Sequence, residues 1–154
     1  MAEFEIDPAV KDRLALALDV DDLVAAIRIG RQMKDYFSVA KIGLELYSAA
    51  GPEAIGAIAD LGYSIFLDVK LHDIPTTVGK AARVLGAFGV QYLTMHAHGG
   101  VDMLQAGVQG LEEGFGCHQR GLSHPMARNE RTGKDEMEVP AVHAGLPGHH
   151  ILRR

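Results

Sequence analysis

A single cysteine, Cys117, in 154 residues leaves nothing to staple the chain covalently, which excludes a disulfide scaffold and fits a reducing compartment. Long apolar runs are missing as well. None approaches the roughly 20 residues that a membrane-spanning helix needs. The opening Met1-Ala-Glu-Phe-Glu-Ile-Asp7 is acidic where an export signal is basic, so a cytoplasmic location is expected. Positive charge is short too: the formal net charge is −5 and no basic stripe is present to neutralise phosphates, which argues against a nucleic-acid partner. Neither G-x-G-x-x-G nor G-x-x-x-x-G-K-[ST] follows any strand-like run, so the dinucleotide and nucleoside-triphosphate sites built on those loops are not expected. What remains is a chain of one-domain length, near-neutral in hydropathy and apolar enough to bury a core.

The pattern alternates. Leu14 to Val20 is a short apolar run with Asp19 at its exit, the reading of a parallel strand buried on both faces. Asp21 or Asp22 can cap the helix that follows, with Leu23, Ile27, Gly30, Met33 and Phe37 at helical spacing. A second strand is expected over 37–43 with Lys41 near its exit, and Gly51-Pro52 opens a helix bearing Ile55, Ile58 and Leu61 that Gly62 closes. A third strand begins at Ser64. The helix after it starts at Pro75, carries Val78, Ala81, Ala82 and Leu85, and stops at Gly89. Val90 to His96 reads as a fourth strand; after Gly99-Gly100, Val101, Leu104, Val108, Leu111 and Phe115 trace a fourth helix. Four strand–helix units of nearly equal length imply a parallel sheet with right-handed crossovers, either a (β/α)8 barrel or an open doubly wound sheet. Both place their sites at the carboxyl ends of the strands, where Asp19, Lys41, Asp68, Lys70 and His96 fall.

The richest stretch is Ser64-Ile-Phe-Leu-Asp-Val-Lys-Leu-His-Asp-Ile-Pro-Thr-Thr-Val78. Asp68 and Lys70 are two apart on a strand, so their side chains are expected on one face, with Asp73 where the strand should have ended. Pro75 suits a first helical turn because its missing N–H has no partner there. An Asp-x-Lys alone is more often a surface ion pair. The whole run is more specific.

Residues 13–115 resemble the first half of a bacterial orotidine 5'-phosphate decarboxylase, whose Asp-x-Lys-x-x-Asp-Ile-Pro-x-Thr segment is matched in full by Asp68, Lys70, Asp73, Ile74, Pro75 and Thr77. The resemblance implies a TIM-barrel fold of the (β/α)8 kind, here with about four of its units, and conversion of orotidine 5'-phosphate to uridine 5'-phosphate and carbon dioxide in pyrimidine synthesis, without metal or organic cofactor. Lys70 is then the general acid that protonates C6 of the pyrimidine. Asp68 lies beside the departing carboxylate and favours the charged ammonium. Asp73 and Thr77 reach the active site of a partner subunit in a homodimer, and Asp19 and Lys41 resemble the ribose-hydroxyl ligands. Read alone, Asp19 is equally a helix cap and Lys41 an exposed strand-end charge. His96-Ala-His-Gly-Gly100 matches a further family signature, with His96 in a supporting role.

Residues 116–154 depart from this pattern. They hold no apolar run of strand length, five of the eight histidines, and Pro125, Pro140 and Pro147. A barrel needs roughly 100 further residues with four more strands. An irregular tail is expected instead, either disordered or the out-of-register or truncated ending that a frameshift leaves. The family's phosphate grip, backbone amides and an arginine from the seventh and eighth strand loops, is not recognisable. His143, His149 and His150 lack the carboxylate or cysteine partners of a metal site. The rival readings are an inactive fragment of the decarboxylase and, less favoured by Ile74-Pro75-x-Thr77, a magnesium-dependent sugar-phosphate decarboxylase or aldolase.

Overall fold

A computed structural model describes residues 7–120, 143–144 and 149–153, with side chains described over 7–120. The chain divides into two compact units, Met1–Val69 and Lys70–Arg154.

The first unit holds α1 (Pro8–Lys11), β1 (Ala15–Leu18), α2 (Leu23–Met33), β2 (Val39–Gly43), α3 (Leu44–Ala50), α4 (Pro52–Ala59) and all but the end of β3 (Ser64–Leu71). Asp22, rather than Asp21, caps α2: its carboxylate accepts from the amides of Val24 at 3.3 Å and Ala25 at 2.9 Å. The strands run parallel, with Leu18 opposite Ile42, Lys41 opposite Phe66 and Gly43 opposite Asp68. Alternation then sorts the side chains. Leu18, Ala40, Ile42, Ile65 and Leu67 are fully buried on one face, with Ala26, Leu46, Ile55 and Ile58 from the helices also in the core. The other face carries Lys41, Phe66 and Asp68, all half-buried, while Ala15 and Ala17 of β1 are exposed. The expected burial of the first strand on both faces is therefore corrected. A closed barrel fills that second face with layers of side chains from alternate strands, and three strands do not supply them.

The α2–β3 approach is held by polar groups. The Tyr63 hydroxyl donates to the Gly30 carbonyl at 2.8 Å, and Lys34 donates to the Gly62 carbonyl at 2.5 Å while lying 4.3 Å from the centroid of the Tyr63 ring. Gly30 lets the two elements approach closely, since a Cβ would meet Leu61 Cδ1 at 2.9 Å and displace that side-chain end. Helix α3, not anticipated from the sequence, follows β2 with no side-chain cap.

The second unit holds the end of β3, α5 (Pro75–Ala87), β4 (Val90–His96), a 3-10 turn over Ala97–Gly99, α6 (Gly100–Gln119), β5 (His143–Ala144) and β6 (His149–Arg153). Pro75 opens α5 and Gly89, at φ +87°, ends the segment, as expected. The buried side of α6 differs from the expected one. Leu111 and Phe115 are buried, but Val101 is 66% exposed, and Met103, Gly107, Gly110 and Gly114 carry the contact instead. The reason is close helix packing. A Cβ on Gly114 would collide with the Arg83 carbonyl oxygen, one on Gly110 with that of Gly79, and one on Gly86 with that of Leu111, so α5 and α6 meet backbone to backbone through glycine.

Within 116–154, α6 continues to Gln119 and two short strands form. β6 runs antiparallel along β4, with Tyr92 opposite Arg153 and His96 opposite His149, and β5 pairs antiparallel with β6. His143–Ala144 and His149–Arg153 thus pair within the segment expected to be irregular, although it has no apolar run of strand length. Hydrogen bonding along an otherwise open edge needs no apolar run. Pro125, Pro140 and Pro147, and the side chains of His143, His149 and His150, lie outside what is described.

Candidate active site

In the first unit three predicted site residues come together. Asp19 follows β1 directly, Lys41 sits two residues before the end of β2, and Asp68 lies opposite Gly43 on β3. Lys41 Nζ donates to Asp19 Oδ1 at 2.9 Å and stands 4.0 Å from Asp68 Oδ2, the first a hydrogen-bonded ion pair and the second a purely Coulombic approach. The Asp19 side chain is 63% exposed and that of Asp68 17%, so the row grades from solvent into the fold. At such exposure the outer pair adds about 1 kcal/mol or less to stability. Its chemical value grows when a ligand displaces the water. Gly43 packs on the same row: a Cβ there would lie 3.4 Å from Asp19 Oδ1 and 3.7 Å from Lys41 Nζ. The sequence offered a signal for it, the glycine two places after a strand lysine, but glycine at a strand end reads first as a turn.

The second unit begins at Lys70 itself. Among described residues it is the one non-glycine with positive φ, +53°. Expectation had Asp68 and Lys70 leave one face by simple alternation. The backbone at Lys70 is left-handed rather than the extended conformation that such alternation assumes. The Lys70 amide donates to Thr94 Oγ1 of β4 at 2.9 Å, and Thr94 is only 4% exposed. Asp73 is exposed, with Oδ1 accepting from the Ile74 amide at 2.6 Å, and Thr77 is exposed in the first turn of α5. The neighbouring Ile74 is 66% exposed. His96 ends β4 with its ring 5.3 Å from that of His72. Sequence reasoning missed His72 and Thr94, since contacts across more than 20 residues leave no local pattern.

Such an acid–base–acid row can bind hydroxyls through Asp19 and Lys41 and presents alternating charge to a ligand. Among the described residues, no group of three or more His, Cys, Asp or Glu side chains is placed to hold a metal ion.

Comparison with known proteins places these features in a family. Residues 12–130 match the family described as Orotidine 5'-phosphate decarboxylase / HUMPS. The orotidine 5'-phosphate decarboxylase of Heliobacterium modesticaldum is 44% identical over 138 residues, covering 90% of this chain and 56% of that protein. Its counterpart from Streptococcus thermophilus is 57% identical over 74 residues, 48% of this chain and 32% of that one. The crystal structure of orotidine 5'-phosphate decarboxylase from Lactobacillus acidophilus superposes with a TM-score of 0.60 at 38% identity, covering 66% of this chain and 46% of that one. The chain spans about half the length of the curated relatives it matches. Likeness also runs past Phe115, where it was expected to stop: a match of 138 residues in a chain of 154 must include residue 138. By the match over residues 12–130, which takes in β1 to β4 and all six predicted site residues, the chain belongs to the orotidine 5'-phosphate decarboxylase / HUMPS family, with four strand–helix units of its TIM-barrel fold.

Proposed function

We propose that this chain carries the catalytic motif of an orotidine 5'-phosphate decarboxylase, forming uridine 5'-phosphate and carbon dioxide for pyrimidine synthesis in the cytoplasm. The observation that carries this reading is the row Asp19–Lys41–Asp68 formed at the strand whose next polar residue is Lys70.

The difficulty of the reaction is electron density left on C6 of the pyrimidine when the carboxylate departs, with no conjugated sink to receive it. An ammonium fixed beside that carbon stabilises the charge as it develops. Lys70 then transfers its proton to C6, so the C–C bond breaks, a C–H bond forms and carbon dioxide leaves. Asp68 lies beside the carboxylate and disfavours it more in the bound ground state than after its charge has moved toward C6. Lys41 holds Asp68 and Asp19 in place and, with Asp19, takes the ribose hydroxyls. Asp73 and Thr77, exposed at the start of α5, serve the site of a second subunit in a homodimer. No cofactor enters this scheme.

A second reading is favoured by the exposed Ala15 and Ala17: the chain lacks activity until a partner covers that face. The sugar-phosphate decarboxylase or aldolase reading is disfavoured by Ile74-Pro75-x-Thr77. Carbon dioxide released from carboxyl-labelled orotidine 5'-phosphate, measured with and without chelator, separates the three. Release that chelator leaves unchanged supports the proposal; chelator-abolished release supports the metal-dependent relatives; release only after the second half of a relative is added supports the incomplete fragment.

A further inference from the structure

We propose that Thr94 is a positioning residue for Lys70: its buried hydroxyl accepts the Lys70 amide and holds that residue in the left-handed conformation from which the ammonium is presented. The inference rests on the decarboxylase reading for the role of Lys70, but its geometric core does not.

Two singular features of the described residues meet in one hydrogen bond. Lys70 is the one non-glycine residue with positive φ, and Thr94, at 4% exposure, is the one buried polar side chain apart from the Tyr63 phenol. The Lys70 N–H reaches Thr94 Oγ1 at 2.9 Å. A lysine has no small side chain or local acceptor to ease it into the left-handed region, so surrounding contacts must impose that backbone. Such imposed conformations gather where a side chain has to be aimed.

Thr94 is also unusual for its own position. It sits between Leu93 and Met95, both fully buried, where valine would fill the same space without a hydroxyl to satisfy. A hydroxyl retained in apolar surroundings is accounted for by what it bonds. Here the partner is the backbone of the predicted proton donor. The bond is made by the Lys70 amide, so it constrains the backbone that carries the ammonium.

The test compares Thr94→Val and Thr94→Ser with the wild-type chain. Turnover of orotidine 5'-phosphate and hydrogen exchange at the Lys70 amide, read by NMR, are followed in parallel. In Thr94→Val, kcat is expected to fall by about 30-fold or more with KM within about threefold, since misplacement of a reacting group costs rate rather than binding. Exchange at Lys70 accelerates while amides of β1 and β2 keep their protection. Thr94→Ser, which retains the oxygen, restores both. Wild-type kcat in Thr94→Val, or an unchanged Lys70 amide there, overturns the proposal. If the wild-type chain shows no turnover, the decarboxylase reading fails separately, and the exchange comparison still decides whether Thr94 holds Lys70.

Discussion

At the residue scale, Lys41 separates structure from chemistry most cleanly. Its 2.9 Å bond is to Asp19, whose side chain is 63% exposed, and its 4.0 Å approach to Asp68 is Coulombic. Lys41→Met is therefore expected to change unfolding free energy by about 1 kcal/mol or less. Turnover, where the same charges face a substrate in a drier setting, is expected to fall by about 100-fold or more. Urea titration and steady-state kinetics on one preparation check both; a large stability loss with intact turnover would make Lys41 a scaffold residue. Asp19, Lys41 and Asp68 were legible because parallel strands put their exits together whatever the family. The φ of Lys70 was not, because no propensity places lysine in the left-handed region.

At the element scale the glycines divide into two kinds. Gly114 of α6 faces Arg83 and Ala87 so closely that a Cβ would lie 2.8 Å from the Ala87 amide nitrogen, whereas Gly56 in α4 is exposed with nothing within 4 Å of its Cβ position. Gly114→Ala is expected to destabilise by about 1–3 kcal/mol through forced separation of α5 and α6. Gly56→Ala should stabilise by about 0.5–1 kcal/mol through helix propensity alone. Thermal unfolding of the two variants side by side tests the contrast, and equal effects would refute backbone-to-backbone packing. This explains why periodicity found α6 but misassigned its face: hydrophobic spacing selects Val101, Leu104 and Val108, while glycine contributes no hydrophobic signal. Helix α3 escaped for a related reason, being seven residues without a side-chain cap. Strand β4 and the starts of α4 and α5 were fully legible, since Pro52, Pro75 and Gly89 punctuate them.

At the scale of the whole molecule, pH and completeness are the two levers. Burial raises the phenol of Tyr47 above its ordinary 10.0, and burial together with Asp35 does the same for Tyr63. The folded state keeps those protons where the unfolded chain releases them, so their contribution is full below pH 10.0 and is lost as pH rises through the raised values. Lys34 acts oppositely. Burial, then Lys11, lowers its ammonium below 10.5 against the pull of Asp35, so its penalty fades as pH climbs through the lowered value. Tyr47→Phe is expected to lose less stability than wild type between about pH 8 and about pH 11, checked by urea unfolding at both ends. An equal loss would assign the alkaline decline elsewhere.

Completeness concerns the face bearing Lys41, Phe66 and Asp68, beside which Ala15 and Ala17 are exposed. Composition and motif revealed which half of a barrel this chain resembles. The antiparallel β6 on β4 was not legible, because pairing along a strand edge depends on backbone groups that every residue carries. The central claim is that the motif on β3 and α5 makes Lys70 a proton donor to orotidine 5'-phosphate. It is tested most directly by following loss of orotidine 5'-phosphate absorbance with the 154-residue chain beside its Lys70→Ala variant, both shown to be folded by circular dichroism. The account predicts turnover in the first that disappears in the second; no turnover from the folded chain, or equal turnover from both, would contradict it.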